Sequence, residues 1–132
     1  MKAAALSAML FALFIAGAHA ADIVVIVNPA AKPVSKEQII DAYLGRSAEL
    51  TPIDQTVGSA IYIEFYKKAT GRDVAQIKAI WSRILFTGRG QPPKQLPNSA
   101  AVKKIVAANP NAVGYIEKSA VDATVKVALP LD

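Results

Sequence analysis

The feature that most constrains this chain is a continuous run of β-branched residues, Ile23-Val24-Val25-Ile26-Val27, which Asn28-Pro29 ends. A run of this kind, without polar alternation, is typical of a strand that is buried on both faces of a sheet. Such a sheet must be covered by other elements on both sides. The rest of the chain carries helix patterns that can supply this cover.

Capping signals mark the starts of two predicted helices. Ser35 followed by Gln38, and Asp73 followed by Gln76, have the spacing of a capping box. The helix after Asp73 has the clearest amphipathic pattern of the chain, with apolar residues at the spacing of one helix face. This apolar stripe consists of Ile77, Ile80, Trp81, Ile84 and Leu85.

Two further helices are predicted from single signals. The first follows Gly58-Ser59 and ends before Gly71, a residue type that favours the left-handed conformation after a helix. The second begins at Asn98 or Ser99, both of which are good N-cap residues.

Two more β-rich segments, Val113–Ile116 and Val125–Ala128, are predicted to share a sheet with Ile23–Val27. Thr51–Asp54 is either a short strand or an extended segment, and Pro52 restricts it to a sheet edge or a strand end. Strands and helices are interleaved, which predicts an α/β domain with a small mixed sheet flanked by helices. Its predicted core includes Ile26, Phe65, Ile77, Trp81 and Ile84.

The first 20 residues have the pattern of a secretory signal peptide. Lys2 is the only charge before an apolar run from Ala3 to Ala18, and Ala18-His19-Ala20 has the small-x-small spacing of a cleavage site. A membrane anchor is the alternative, but the run is shorter than the roughly 20 residues that a spanning helix needs. Cleavage would leave a single domain, residues 21–132, in the periplasm and without a membrane span.

Cleavage would also remove His19, the only histidine, from a chain that has no cysteine. Zinc sites built from these residues are then excluded, as are Ser-His-Asp and Cys-His nucleophile systems. The acidic residues show no spaced pair that indicates glycoside hydrolysis. The sequence therefore predicts a protein that is not an enzyme, with no catalytic residues, no metal site and no cofactor.

The chain is basic, with a formal net charge of +5. Loss of Lys2 would reduce the 15 Lys and Arg residues to 14, against 10 acidic residues. The basic residues are spread along the sequence and form no polybasic stripe, so nucleic acid is not an expected partner. In the periplasm this charge suits small anions, anionic lipids or acidic envelope polymers, or it serves solubility alone.

The segment Asp54–Ser59 is the most informative candidate for a ligand site. An extended stretch runs into Gly58-Ser59 and then into a helix, whose exposed N–H groups and dipole attract anions. Gly58 lets a ligand approach the backbone, and Ser59 adds a hydroxyl. The alternative is that Ser59 only caps its own helix.

A second candidate is the loop Gly88-Arg89-Gly90, where Arg89 offers a cation. The loop is too short for a phosphate-binding P-loop and lacks the Lys-Ser/Thr ending. The alternative is a surface turn.

Six stretches, taken in order, resemble short phosphate ABC transporter substrate-binding-like proteins of the type 2 periplasmic binding protein superfamily. The likeness extends over nearly all of residues 21–132. The stretches are Ile23–Pro29, Leu44-Gly45-Arg46, Gly58-Ser59 with Glu64-Phe65-Tyr66, Trp81-Ser82-Arg83, Phe86-Thr87-Gly88, and Asn111–Ile116.

The resemblance implies the fold of a single periplasmic binding protein lobe, in which an arginine precedes a Ser-Gly-Thr turn that grips phosphate. That turn matches Gly58-Ser59-Ala60-Ile61, which keeps the serine but not the glycine or the threonine. The arginine position falls on Gln55, or on Asp54 with a shift of one residue. The cation is therefore lost, and the charge of Asp54 would repel an anion.

Two functions follow from these observations. The first is a non-catalytic solute-binding-like protein that binds phosphate or another small oxyanion weakly, through Gln55, Gly58, Ser59 and Ala60, with Arg89 as a substitute cation. A membrane transporter, an envelope protein or a second copy of the chain could complete its cleft. The alternative is a periplasmic interaction module that has kept the lobe and lost ligand binding.

Overall fold

A computed structural model describes residues 22–131 as five strands, four α-helices and a 3₁₀ turn at Lys118–Ala120. The strands are β1 (Ile23–Val27), β2 (Thr51–Gln55), β3 (Lys94–Leu96), β4 (Ala112–Glu117) and β5 (Lys126–Leu131). The helices are α1 (Lys36–Tyr43), α2 (Ala60–Thr70), α3 (Val74–Phe86) and α4 (Ser99–Ala108). The predicted signal peptide lies outside the described residues. No helix within residues 22–131 has the length and hydropathy needed to cross a membrane.

All five strands form one mixed sheet in the order β3-β2-β4-β1-β5. β1 is antiparallel to β4 and β5, whereas β2 is parallel to β3 and β4. The prediction that Ile23–Val27, Val113–Ile116 and Val125–Ala128 share a sheet is confirmed, with β5 beginning one residue later and extending to Leu131.

Each face of the sheet has its own hydrophobic core, which is why β1 is apolar at every position. Ile23, Val25 and Val27 pack with residues of α1, α2 and α3 on one face. Val24 and Ile26 pack with residues of α4 on the other face. The α/β class with a sheet flanked by helices is therefore confirmed.

Aromatic rings fill the larger core. The rings of Phe65 and Tyr115 are stacked with centroids 3.8 Å apart, and Tyr43 lies against both. Trp81 donates its indole N–H to the backbone oxygen of Tyr43 at 3.1 Å, which joins α3 to the end of α1.

The five predicted core residues are all buried. The prediction is wrong for Leu85, which the sequence pattern places in the apolar stripe of α3. It lies near the end of this helix and is 49% exposed.

Side-chain caps start all four helices. Ser35 with Gln38 and Asp73 with Gln76 form the two predicted capping boxes. Ser59 caps α2, and Asn98 rather than Ser99 caps α4.

The strand β3 was not predicted, because its three residues are polar or only half-buried and carry no strand pattern. It forms by parallel pairing of Lys94–Leu96 with Ile53–Gln55. This pairing places β2 inside the sheet. Pro52 nevertheless stands where it was expected, at a strand end, because it pairs with Val113 alone.

Candidate functional site

The residues that the sequence predicts to bind an oxyanion lie in the turn between β2 and α2. The backbone N–H of Ser59 donates to the oxygen of Thr56 at 3.0 Å. Gly58 has a φ of +83°, which a residue with a side chain adopts only with strain, and a Cβ there would meet no atom within 4 Å. The N–H of Val57 donates to Oε1 of Gln95 at 3.1 Å, which ties the turn to β3. The turn is thus held by its own backbone and by its neighbour strand.

Ser59 serves as the N-cap of α2, with its Oγ accepting from the N–H of Tyr62 at 3.4 Å. The first N–H groups of a helix have no partner within it, and in α2 these include the N–H groups of Ala60 and Ile61. Ala60 is exposed and Ser59 is half-buried. The turn can therefore donate hydrogen bonds to an anion from the first N–H groups of α2 and from the hydroxyl of Ser59. The capping role of Ser59 leaves these donors available, because its hydroxyl oxygen only accepts a bond from Tyr62.

Gln55, at the position of the lost arginine, is buried, and both of its amide hydrogens are bonded within the protein. Its Nε2 donates to Oγ of Ser99 at 3.1 Å and to the backbone oxygen of Tyr115 at 3.0 Å. Its backbone N–H donates to the hydroxyl of Tyr115 at 3.0 Å. The side chain thus joins β2 to β4 and to the start of α4, and its amide donors are occupied within the protein.

Asp54 lies in the larger core rather than on the surface, and it is 3% exposed. Its two carboxylate oxygens accept separate hydrogen bonds of 2.8 Å from the hydroxyls of Tyr115 and Tyr66. Burial raises the pKa of Asp54 to about 7, although both hydrogen bonds lower it. The expected repulsion of an anion by Asp54 is therefore reduced, because the group is partly protonated near neutral pH.

The same buried environment also raises the pKa values of the tyrosines around Asp54. Burial, and then the charge of Asp54, raises the pKa of Tyr66 and of Tyr115 well above the usual range. The same two causes raise the pKa of Tyr62 to about 12. All three phenols remain protonated, and those of Tyr66 and Tyr115 donate to Asp54. Sequence reasoning missed this cluster, although a carboxylate in the middle of a β-rich segment is a signal that it must find buried partners.

Arg89 lies apart from this turn. It is exposed, its Nε donates to Oγ1 of Thr87 at 3.1 Å, and it lines a cleft with Thr51 and Pro52 at the start of β2. Gln55 is the last residue of β2 and lies roughly 13 Å from Thr51, its first residue, at the usual rise per residue of a β-strand. The structure thus brings Gln55, Gly58, Ser59 and Ala60 together and places Arg89 elsewhere.

Within residues 22–131, no group of three or more acidic, histidine or cysteine side chains is placed to hold a metal ion. The described site consists of backbone N–H groups, a serine hydroxyl and internally bonded polar side chains. Chemically, it can donate hydrogen bonds to an anion, but its own side chains supply no cation.

The fold is similar to two solved structures. One is an ABC-type phosphate transport receptor from Vibrio cholerae, with a TM-score of 0.61 and 20% identity over 84% of this chain and 49% of that chain. The other is a putative phosphate ABC transporter substrate-binding protein with bound phosphate from Clostridium perfringens, with a TM-score of 0.61 and 24% identity over 82% of this chain and 45% of that chain.

These likenesses confirm the fold that the resemblance implied, a periplasmic binding protein-like lobe. The chain spans about half the length of each matched structure. No protein-family model matches the chain, and no curated protein has a significantly similar sequence.

Proposed function

We propose that the protein is a non-catalytic, solute-binding-like protein of the periplasm that binds phosphate or another small oxyanion weakly. The fold supports this proposal, because both similar structures are named for phosphate transport or binding. The ligand would lie at Gly58, Ser59 and Ala60, where the N–H groups at the start of α2 meet solvent. The proposal includes export to the periplasm through a cleaved signal peptide, residues 1–20.

Binding is expected to be weak because of one observation: the polar side chains at the end of β2 form their hydrogen bonds within the protein. Gln55 donates to Ser99 and to the backbone of Tyr115, so it has no amide hydrogen left for a ligand. A guanidinium at that place would offer a charged, bidentate contact. Without it, the anion keeps most of its hydration and gains only neutral hydrogen bonds.

Exposure of the site to solvent should also weaken binding of the anion. A lobe of this kind covers one side of an ion, and the other side remains in water. A second copy of the chain, a membrane transporter or an envelope protein could cover it. We expect a dissociation constant of about 1 mM or weaker for the isolated protein, which is roughly −4 kcal/mol of binding free energy.

Calorimetric titration of inorganic phosphate into the purified protein tests this proposal, with sulfate as the control anion. We expect weak heats that do not saturate below millimolar phosphate and that decrease further in Ser59→Ala. Saturation at micromolar phosphate would contradict the proposed weakness. Binding that Ser59→Ala leaves unchanged would place the ligand away from the turn.

The alternative function, a periplasmic interaction module, is favoured by a different observation. Phe86, the last residue of α3, is 94% exposed, and its neighbour Leu85 is also exposed. Apolar side chains that are adjacent and solvent-facing are candidates for protein contact. A photo-crosslinking residue at position 86, compared in cells with one at the exposed Lys36 of α1, tests this function. A discrete adduct from position 86 alone supports the module, and equal or absent adducts contradict it.

A further inference from the structure

A second concave site lies at the opposite end of β2 from the proposed oxyanion turn. It is an open cleft of about 880 Å³ between the loop that follows α1, the C-terminal half of α3 and the loop around Gly90. Its walls include the apolar side chains of Leu50, Pro52 and Trp81. This volume lies within the range of small-molecule sites in proteins.

Three arginines, Arg46, Arg83 and Arg89, line this cleft, and no acidic side chain of the described residues does. Arg46 makes only a long contact of 3.7 Å with Asp41, and both side chains are largely exposed, so the pair is weak. Within residues 22–131, neither Arg83 nor Arg89 takes part in an ion pair. Three like charges around one concave surface repel one another and raise the local concentration of anions.

Packing between α1 and α3 fixes the geometry of this cleft. Gly45 has a φ of +71°, and a Cβ there would lie 2.3 Å from Cδ1 of Ile84 and 3.0 Å from Cη2 of Trp81. The backbone of Gly45 therefore sits directly on α3. Arg46 follows on that backbone, whereas Arg83 belongs to the helix beneath it. Arg46 and Arg83 therefore come from separate elements that pack directly on each other.

We propose that this cleft binds a small organic dianion of the phosphomonoester class. Guanidinium groups match the oxygens of a phosphate group in charge and in bidentate geometry. The apolar surface of the cleft is larger than the area that a bare phosphate ion can cover. It therefore suits an organic group that is attached to the phosphate. This site is independent of the proposed oxyanion turn, since the two share no lining residue.

Trp81 provides a direct readout, because it is the only tryptophan in the chain and lines the cleft. The experiment titrates phenyl phosphate into the purified protein and follows tryptophan fluorescence, with inorganic phosphate and phenol as matched partial ligands. We expect a saturable change with phenyl phosphate. Each partial ligand should bind about tenfold more weakly or worse, because it lacks either the organic group or the charge.

Variants locate the binding site and separate it from the turn. Arg83→Gln and Arg89→Gln change exposed side chains and should each weaken phenyl phosphate binding about tenfold or more. Arg72→Gln removes an arginine that does not line the cleft, so it should leave binding unchanged. Absence of a saturable change, or an equal loss in Arg72→Gln, would overturn the proposal. So would a loss confined to Ser59→Ala, which would move the ligand to the turn.

Discussion

Tyr115 donates its hydroxyl hydrogen to Oδ1 of Asp54 at 2.8 Å inside the larger core, while its ring stacks on Phe65. The same hydroxyl oxygen accepts the backbone N–H of Gln55 at 3.0 Å. One phenol on β4 therefore satisfies two consecutive residues at the end of β2. This contact joins the buried carboxylate to the strand end that leads into the oxyanion turn.

The raised pKa of Asp54 predicts a pH-dependent stability. The value of about 7 in the folded protein exceeds the ordinary value of 3.8, so the native state binds more protons than the unfolded state between these pH values. The free energy of unfolding should therefore fall as the pH rises through this window, by up to about 4 kcal/mol from this group.

Asp54→Asn removes the titrating group and isolates its effect. The difference in free energy of unfolding between wild type and Asp54→Asn, measured in urea from about pH 4 to pH 8, should change in favour of the variant as the pH rises. Ser35→Ala, at an exposed cap of α1, removes no titrating group and is the control, so its difference from wild type should stay constant across this range. Parallel pH profiles for wild type and Asp54→Asn would contradict the raised pKa.

Trp81→Ala should lower the free energy of unfolding by about 3–5 kcal/mol, because it empties a buried site and leaves the oxygen of Tyr43 without its indole donor. Phe86→Ala removes a side chain from the same helix that is 94% exposed, so its effect should stay within about 0.5 kcal/mol. Urea unfolding followed by circular dichroism measures both. Similar losses in the two variants would refute the packing described for α3.

Gly45→Ala tests the close contact beneath the arginine-lined cleft. The new Cβ would clash with Ile84 and also requires a left-handed conformation, so we expect a loss of about 2–4 kcal/mol of unfolding free energy. Gly71→Ala is the matched control, because Gly71 has nearly the same φ of +70° with no atom within 4 Å of a Cβ. It should lose only the conformational part, about 1 kcal/mol. Equal losses would mean that the contact with α3 is unimportant.

Thr56→Arg should strengthen phosphate binding at the turn about tenfold, because it adds a charged donor without disturbing the hydrogen bonds of Gln55. Thr56 is exposed, so the change leaves the core intact. Thr56→Gln provides a longer neutral side chain as the control and should bind phosphate like the wild type. An equal gain in both variants would show that charge is not what the site lacks.

Local chemistry predicts much of this fold. The β-branched run of β1, the capping boxes at Ser35 and Asp73, and the apolar spacing around Trp81 are each set by residues close in sequence. β3 could not be predicted in the same way, since its pairing with β2 joins segments about forty residues apart, a contact that polar residues do not signal.

The candidate site shows the same division. The turn at Gly58-Ser59 follows from local signals, whereas the partners of Asp54 do not. Tyr66 and Tyr115 are 12 and 61 residues away from Asp54 and reach it only through the packing of α2 and β4 on β2. The arginine-lined cleft likewise combines loops that are distant in sequence. Sequence reasoning therefore found Arg89 as a cation but not the surface to which it belongs.

An NMR titration of the ¹⁵N-labelled protein with inorganic phosphate tests the central claim most directly, because it reports the position and the strength of binding together. We predict that the amide signals of Ala60 and Ile61 shift progressively, with a dissociation constant of about 1 mM or weaker. Saturation of these signals at micromolar phosphate would contradict the weak, cation-free site. Shifts elsewhere that leave Ala60 and Ile61 unmoved would contradict its location at the start of α2.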